Sequence, residues 1–205
     1  MNILLLGGFL GSGKTSVLIP LCRRFVGEGA SGTKIAILEN EAGEVGVDNL
    51  SLESRGLEVR SVFSGCICCT LSTELIPAIK ELQDRYDPRW IVLEATGLAF
   101  PDRIAAQIRE YLPDADVLTL VIADAGRIEE LYELMEPLIR GQLRAADILL
   151  LNKADLVSEE QLGELKAFLR EQNPTADILT GSADRETGFL DEIAARMERY
   201  EEAKG

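Results

Sequence analysis

The stretch LGGFLGSGKTS at residues 6–16 follows a short apolar run and precedes a helical pattern. Within it, residues 8–15 fit the spacing GxxxxGK[ST], which is typical of a loop that holds phosphate groups, the P-loop. Its glycines, Gly8, Gly11 and Gly13, let the backbone curl so that successive N–H groups converge on phosphate oxygens. The helix that follows directs its positive dipole end toward the same anion. The stretch therefore predicts a triphosphate site rather than an ordinary glycine-rich turn.

The polar residues of this loop have distinct predicted roles. Lys14 would supply a positive charge to the β- and γ-phosphates, and the Thr15 hydroxyl is placed to bind Mg²⁺. Both are candidate catalytic residues, because each would help to neutralise charge that develops during phosphoryl transfer. Ser12 lies between the glycines and is a further candidate nucleotide contact.

Strand and helix patterns alternate along the chain. This order predicts an α/β fold of the P-loop NTPase class, with a mostly parallel central sheet of about seven strands and helices on both faces. Ligands of such sheets bind at the carboxyl ends of the strands. The predicted strands are 2–6, 34–38, 57–63, 90–93, 117–122, 148–151 and 178–179. Helical stripes of apolar residues lie within 71–82, 128–139, 162–169 and 190–200, and a capping box of Ser158 and Gln161 precedes the third stripe.

Composition narrows the class of protein. The chain has 205 residues, 46% of them hydrophobic, without a repeat or an evident linker, which predicts a single domain over residues 1–205. Its formal net charge of −14 argues against nonspecific nucleic-acid binding, which needs clustered Lys and Arg. No apolar run reaches the roughly 20 residues of a membrane helix, and the N-terminus lacks the basic segment of a signal peptide. We therefore expect a cytoplasmic protein that binds neither nucleic acid nor a membrane.

The sequence NKAD, which ends a predicted strand, indicates the base that is bound. A carboxylate at Asp155 can accept N–H bonds from guanine N1 and from its 2-amino group, whereas adenine would leave that carboxylate unpaired. Lys153 can lie over the base plane, and Asn152 can tie this loop to the P-loop. Ser182 and Ala183 follow the last predicted strand and would form a second loop against the base. GTP, with GDP as its product, is therefore expected rather than ATP.

Another apolar run, residues 90–93, leads into the sequence EATG. An acid at the end of a buried strand is the Walker B arrangement, here with Glu94 in place of the more usual aspartate. This carboxylate could hold Mg²⁺ through water or polarise the attacking water, and it is therefore a third candidate catalytic residue. The alternative is a glutamate that only caps the strand. Gly97 would offer its backbone N–H to the γ-phosphate with no side chain in the way.

Two further loops carry candidate metal ligands. ENEAGEVGVD at residues 39–48 is either a solvated acidic loop or a switch whose carboxylates bind metal. GCICCT at residues 65–70 opens a helical pattern, and a helix N-terminus lowers the pKa of nearby thiols. Three thiolates suit Zn²⁺, Cu⁺, Ni²⁺ or Co²⁺ but leave a closed zinc site one ligand short. The candidate ligands are Cys66, Cys68 and Cys69, with Glu39, Glu44, water or a partner's side chain to complete the site. A redox pair, Cys66 with Cys69, and purely structural cysteines are the alternatives.

Together these motifs resemble those of the CobW-like P-loop GTPases, relatives of the nickel-insertion GTPases of urease and hydrogenase maturation. The shared elements are, in order, GGFLGSGKTS, ENEAGEVGVD, GCICCT, EATG, the pattern QLxxAD at residues 142–147, and NKAD. The elements ENE-x-GE-x-G-x-D and GCICC are specific to that family, and both occur here in the expected order.

The resemblance implies a metallochaperone or cobalamin-associated GTPase whose hydrolysis is slow alone and is coupled to metal or to a metallo- or corrinoid-dependent client. Zn²⁺ is the metal it favours, with Co²⁺ and Ni²⁺ as alternatives. It implies nucleotide contacts at Gly11, Gly13, Lys14, Thr15, Ser16, Asn152 and Asp155. It implies metal contacts at Cys66, Cys68 and Cys69, with Glu39 and Glu44 as additional ligands.

The chain departs from the family pattern in two ways. Family members often carry a second, C-terminal domain and a histidine-rich segment, whereas here no second domain is expected and the chain contains no histidine. The expected metal site is therefore built from cysteine and carboxylate alone. A homodimer across the nucleotide face would bring two incomplete cysteine sites together. The alternative function is a metal-regulated nucleotide-binding switch, or a metal-sequestering protein in which hydrolysis is incidental.

Overall fold

The computed structural model describes residues 1–26, 35–39, 57–61, 75–185 and 188–203, and in residues 25–26, 39 and 57–61 it describes the backbone alone. Seven strands within this part form one sheet with the order β3-β2-β4-β1-β5-β6-β7, and all six neighbouring pairs are parallel. The strands are β1 Asn2–Gly7, β2 Ile35–Glu39, β3 Leu57–Ser61, β4 Trp90–Glu94, β5 Asp116–Asp124, β6 Ile148–Asn152 and β7 Asp177–Thr180. The predicted α/β fold class is confirmed, and each predicted strand is present.

The described part contains six α-helices, of which five lie between strands and the sixth follows β7. They are α1 Lys14–Val26, α2 Ile76–Tyr86, α3 Pro101–Tyr111, α4 Ile128–Arg144, α5 Glu159–Gln172 and α6 Gly188–Glu202. The capping box that was predicted before α5 is present, because the Ser158 hydroxyl accepts from the Gln161 N–H and the Gln161 side chain accepts from the Ser158 N–H. Helix α3 was not predicted. It begins with Pro101 in its first turn, where proline is tolerated, and it buries a short apolar stripe.

The sheet is buried on both faces, as the continuous apolar strands predict. On β1, Leu4 and Leu6 pack with α1 and α6, whereas Ile3 and Leu5 pack with α2 and α3 on the opposite face. Helices α4 and α5 cover the second face further along the sheet, over β5 and β6. Each fully buried leucine or isoleucine contributes about 1.5–3 kcal/mol to stability. This packed core holds the carboxyl ends of the strands in a fixed arrangement.

Helix α4 is broken in its middle. Met135 has φ −137° and ψ 40°, so two helical segments meet there, and Pro137 follows within the helix. Proline lacks an N–H and its ring clashes with the carbonyl four residues earlier, which explains a break at this place. The sequence pattern had predicted one uninterrupted stripe over 128–139.

The sheet order determines where a ligand can bind. Strand β1 lies between β4 and β5, and the register places Leu6 opposite Glu94 and Asp124 opposite Asn152. The loops after β1, β4, β5 and β6 therefore meet at one edge, which is where ligands of parallel sheets bind. No helix in the part of the chain that is described is long and apolar enough to cross a membrane.

Candidate nucleotide site

The loop after β1 has the backbone that phosphate binding requires. Gly8, Gly11 and Gly13 all have positive φ angles, of 134°, 74° and 96°. The Ser12 N–H donates a hydrogen bond to the Phe9 carbonyl at 3.2 Å, which closes a turn, and α1 begins two residues later at Lys14. A curled loop that runs into a helix N-terminus forms a concave anion site, because several N–H groups and the helix dipole point into the same space.

Lys14 places its charge inside this loop. The side chain is buried, and the Nζ atom donates to the carbonyls of Gly8 at 3.1 Å and Phe9 at 3.4 Å. Burial lowers the pKa of Lys14, while the nearby Glu94 carboxylate acts in the opposite direction. The result is a cation whose desolvation makes its interaction with an incoming phosphate strong.

Thr15 and Glu94 meet at the mouth of the loop. The Thr15 hydroxyl donates to the Glu94 carboxylate at 3.3 and 3.4 Å, across the gap between α1 and the end of β4. A hydroxyl and a carboxylate are hard oxygen ligands of the kind that Mg²⁺ prefers. The donor set therefore fits a magnesium ion next to the phosphate loop.

The NKAD loop is attached directly to the P-loop. The buried Asn152 side chain donates from Nδ2 to the Ser12 carbonyl at 2.9 Å, and its Oδ1 accepts from the Ala183 N–H at 3.0 Å. Lys153 has a left-handed backbone with φ 60° and donates to the Gly11 carbonyl at 2.8 Å. These contacts fix the distance between the phosphate loop and the loop that would recognise the base.

Asp155 faces an open cavity of about 400 Å³, a volume suited to a small ligand. Its carboxylate accepts from the Ser182 hydroxyl and forms an ion pair with Arg185 at 3.2 Å. The Ser182 hydroxyl, with a further contribution from Arg185, holds the pKa of Asp155 below its usual range. Asp155 therefore stays ionised and available as an acceptor, and the cavity is also lined by Glu159 and Lys166.

The QLxxAD pattern supports the loop that follows β4. Gln142 is buried in α4 and donates to the carbonyls of Gly97 and Ala99, both at 3.0 Å. A Cβ on Gly97 would lie 2.6 Å from the backbone nitrogen of Leu10, so this loop is in close contact with the P-loop. At the other end of the pattern, the Asp147 carboxylate accepts from the Thr119 N–H at 2.8 Å.

Gln142→Met removes this donor but keeps a side chain of similar length. We expect a loss of about 2 kcal/mol in the free energy of unfolding, because two buried carbonyls lose their partner. Chemical denaturation measures this loss. Glu110→Ala, on the exposed side of α3, is the control and should change stability by less than about 0.5 kcal/mol. Equal stability of Gln142→Met and the unmodified chain would contradict the assigned role.

Asp124 is a part of the site that the sequence motifs did not indicate. This buried aspartate accepts from the Gly126 N–H at 3.0 Å through Oδ1 and from Lys153 Nζ at 2.7 Å through Oδ2. It therefore links the β5–α4 turn to the NKAD loop. A signal was present in the sequence, since Asp124 follows a long apolar run at the edge where the other motifs end.

The predicted metal ligands are not described to the same extent. Cys66, Cys68, Cys69 and Glu44 lie outside the described residues, and Glu39 is described only as the last backbone position of β2, opposite Glu94 in the register. Ser16 is exposed in the first turn of α1. Within residues 1–26, 35–39, 57–61, 75–185 and 188–203, no group of three or more His, Cys, Asp or Glu side chains is placed to hold a metal ion. The cysteine site stays a prediction.

Several known proteins are similar to this chain in sequence and in fold. The sequence profile of the CobW/HypB/UreG nucleotide-binding domain matches residues 2–180. The zinc chaperone YjiA of Escherichia coli is 36% identical over 192 residues, which cover 89% of this chain. The zinc-regulated GTPase metalloprotein activator 1 of Schizosaccharomyces pombe is 31% identical over 208 residues, covering 94% of this chain. The crystal structure of Zn(II)-bound YjiA GTPase from E. coli superposes with a TM-score of 0.63 at 26% identity, over 88% of this chain and 57% of that one.

The similarity covers only part of those proteins. The chain spans 58% of the length of YjiA and 47% of the length of the yeast activator. In this chain, the residues that match the family profile, 2–180, include the phosphate loop, the EATG sequence and the NKAD loop.

Proposed function

Because the chain belongs to the CobW/HypB/UreG family of nucleotide-binding domains, we propose that it binds GTP, hydrolyses it to GDP and phosphate, and couples this cycle to the delivery of a transition metal. One observation carries the nucleotide assignment. Asn152 and Lys153 bind the carbonyls of Ser12 and Gly11, so that the Asp155 carboxylate lies beside a cavity at a fixed position relative to the phosphate loop.

Recognition of guanine follows from the acceptors and donors in that cavity. Guanine presents two N–H donors on one edge, at N1 and at the 2-amino group, and Asp155 offers them an ionised carboxylate. Adenine has no N–H donor at the corresponding positions, so it could not form these two hydrogen bonds with the carboxylate. The Ser182 hydroxyl keeps the carboxylate oriented, since it already donates to one of its oxygens.

Hydrolysis would use groups that are already assembled at the mouth of the P-loop. The loop N–H groups and Lys14 would hold the phosphate oxygens and reduce their negative charge. Thr15 and Glu94 would hold Mg²⁺, which when bound neutralises charge on the β- and γ-phosphates. Glu94, or an acid of the 39–48 segment, would orient the attacking water. In this step the water oxygen bonds to the γ-phosphorus while the bond between the γ-phosphorus and the β–γ bridging oxygen breaks. GDP is the leaving group, and the protons of the water pass to the released phosphate and the solvent.

The transition metal is the cargo of this cycle rather than a resident cofactor. Cys66, Cys68 and Cys69 would bind it through thiolate, with Glu39 and Glu44 as oxygen ligands, and Zn²⁺ is the favoured ion ahead of Co²⁺ and Ni²⁺. Support comes from the GCICC sequence and from the names of the relatives, which are a zinc chaperone and a zinc-regulated GTPase. The recipient would be a metal-dependent or corrinoid-dependent client protein.

Cys68→Ala tests the cargo site. We expect Zn²⁺ affinity to fall by about tenfold or more, because one of three thiolate ligands is lost. Competition with a chromophoric chelator measures the affinity. Cys22→Ala is the matched control, since Cys22 is buried in the core between α1 and the sheet and should leave zinc affinity unchanged. Equal zinc affinity of Cys68→Ala and the unmodified chain would remove this site from the proposal.

A turnover assay tests the proposed function as a whole. Phosphate release from GTP is measured without added metal and with Zn²⁺, Co²⁺ or Ni²⁺, in each case with Mg²⁺ present. The proposal predicts slow hydrolysis that changes when the cargo metal is added, and no comparable hydrolysis of ATP. GTP hydrolysis that responds to no metal would favour a nucleotide-binding switch in which hydrolysis is incidental.

A further inference from the structure

The turn between β5 and α4 carries an arginine to the tip of the P-loop. The exposed Arg127 side chain donates from Nη2 to the Leu10 carbonyl at 3.4 Å. Its Nη1 atom lies 3.4 Å from the position that a Cβ on Gly11 would occupy. The guanidinium group therefore stands beside the two residues at the tip of the loop that curls around the phosphates.

The backbone beneath Arg127 is anchored on the nucleotide site itself. The Arg127 N–H donates to the Asp124 carbonyl at 3.1 Å, and the Asp124 carboxylate accepts from the Gly126 N–H at 3.0 Å. The same carboxylate accepts from Lys153, which also donates to Gly11. The turn, the NKAD loop and the P-loop are thus joined by hydrogen bonds, which fix the position of the Arg127 backbone relative to the P-loop.

The side chain of Arg127 is held more weakly than its backbone. Its bond to Leu10, at 3.4 Å, is longer than the usual 2.7–3.2 Å of an N–H···O bond. Hydrogen bonds between guanidinium and phosphate are charge-assisted and roughly twice as strong as those to a neutral carbonyl. A phosphate oxygen within reach would therefore displace Leu10 as the acceptor.

We propose that Arg127 is a catalytic residue of the GTPase reaction. The chain would supply this arginine to the γ-phosphate of the GTP that it binds. As the bond between the β–γ bridging oxygen and the γ-phosphorus breaks, negative charge accumulates on the bridging oxygen, and the Arg127 guanidinium neutralises part of it. Arg127 neither gains nor loses a proton in this step. The inference rests on the proposed GTP hydrolysis and adds to it a residue outside the P-loop, EATG and NKAD motifs.

Three substitutions separate charge from hydrogen bonding. Arg127→Ala removes both. Arg127→Gln keeps an N–H donor for the Leu10 carbonyl but has no charge, and Arg127→Lys keeps a charge without the planar fork. Arg144→Ala, an exposed arginine in the last turn of α4, is the control. Each variant is measured for single-turnover GTP hydrolysis with Mg²⁺, for GDP affinity with a fluorescent analogue, and for binding of GDP with aluminium fluoride, which mimics the transferring phosphoryl group.

The proposal predicts that hydrolysis falls on the order of 100-fold in Arg127→Ala and Arg127→Gln, the size of effect seen when one transition-state donor is removed. GDP affinity should change by less than about twofold, whereas binding of GDP with aluminium fluoride should be lost in both. Arg127→Lys should recover part of the rate, and Arg144→Ala should behave as the unmodified chain.

Two results would overturn the proposal. If Arg127→Gln hydrolyses GTP at the unmodified rate, the arginine only positions Leu10 through its hydrogen bond. If hydrolysis and GDP affinity fall by the same factor, it only shapes the P-loop. An unmodified chain that does not hydrolyse GTP would instead defeat the proposed function. In that case unaltered binding of GDP with aluminium fluoride in Arg127→Ala would defeat the arginine assignment as well.

Discussion

The Asp155→Asn variant should bind GTP more weakly and xanthosine triphosphate more tightly than the unmodified chain does. The asparagine amide presents a donor where the carboxylate presents an acceptor, and xanthine has a carbonyl where guanine has its 2-amino group. Ser182 would still donate to the remaining oxygen, so the loop keeps its geometry and only the pattern of donors and acceptors changes. We expect GTP affinity to fall on the order of 100-fold and xanthosine triphosphate affinity to rise by a similar factor. Displacement of fluorescent GDP by each nucleotide measures both.

The control for this prediction is another aspartate that is paired with an arginine. Asp191 in α6 forms an ion pair with Arg24 in α1, and neither residue lines the cavity beside Asp155. That pairing lowers the pKa of Asp191, as the site partners lower that of Asp155. Asp191→Asn should leave the preference for guanine unchanged. If Asp155→Asn binds GTP as tightly as the unmodified chain does, the assignment of the base-recognition loop is wrong.

Gly13→Ala should have the second large effect, because it separates the two loops of the site. Gly13 has φ 96°, where an L side chain is strained, and a Cβ there would lie 2.4 Å from the Asn152 Nδ2 atom. Asn152 cannot retreat without losing its hydrogen bonds to the Ser12 carbonyl and the Ala183 N–H. We expect GTP and GDP affinity to fall together, on the order of 100-fold, with a loss of about 3 kcal/mol in the free energy of unfolding.

Gly163→Ala is the matched control for that substitution. Gly163 lies inside α5, and a Cβ there would meet no heavy atom within 4 Å. Alanine in a helix interior is about 1 kcal/mol more favourable than glycine, so this variant should be more stable and should bind nucleotide normally. Isothermal titration with GDP and chemical denaturation test both variants. Unmodified GDP affinity in Gly13→Ala would contradict the contact between the P-loop and the NKAD loop as the basis of the site.

Much of the fold was predictable because it depends on local patterns. Buried parallel strands produce continuous apolar runs, and helices that cover a sheet produce stripes of period 3.6. Both patterns were visible for β1, β4, β5 and β6 and for helices α5 and α6. Helix α3 was missed because it is short and lies close behind the EATG motif, and because proline, here Pro101 in its first turn, is not a general helix signal. The break at Met135 was missed because an apolar stripe continues on both sides of it.

The site was predictable only where a motif fixes the residue types. Glycines with positive φ, a lysine inside the loop and the aspartate of the NKAD sequence occur at recognisable spacings. Asp124, Arg127 and the contacts of Gln142 depend on which loops meet at the carboxyl edge of the sheet, and that is a matter of strand order. A sequence pattern does not state strand order, so these residues could be assigned only once β5 was placed beside β1 and β6.

The central claim is that the nucleotide and the metal are coupled, and a single titration tests it most directly. Zn²⁺ affinity is measured by chelator competition on the full chain, once with GDP and Mg²⁺ and once with a non-hydrolysable GTP analogue and Mg²⁺. Coupled sites differ in affinity between two such states by about 5- to 150-fold, and we predict a difference of at least the lower figure. Equal Zn²⁺ affinity in the two nucleotide states would contradict the account.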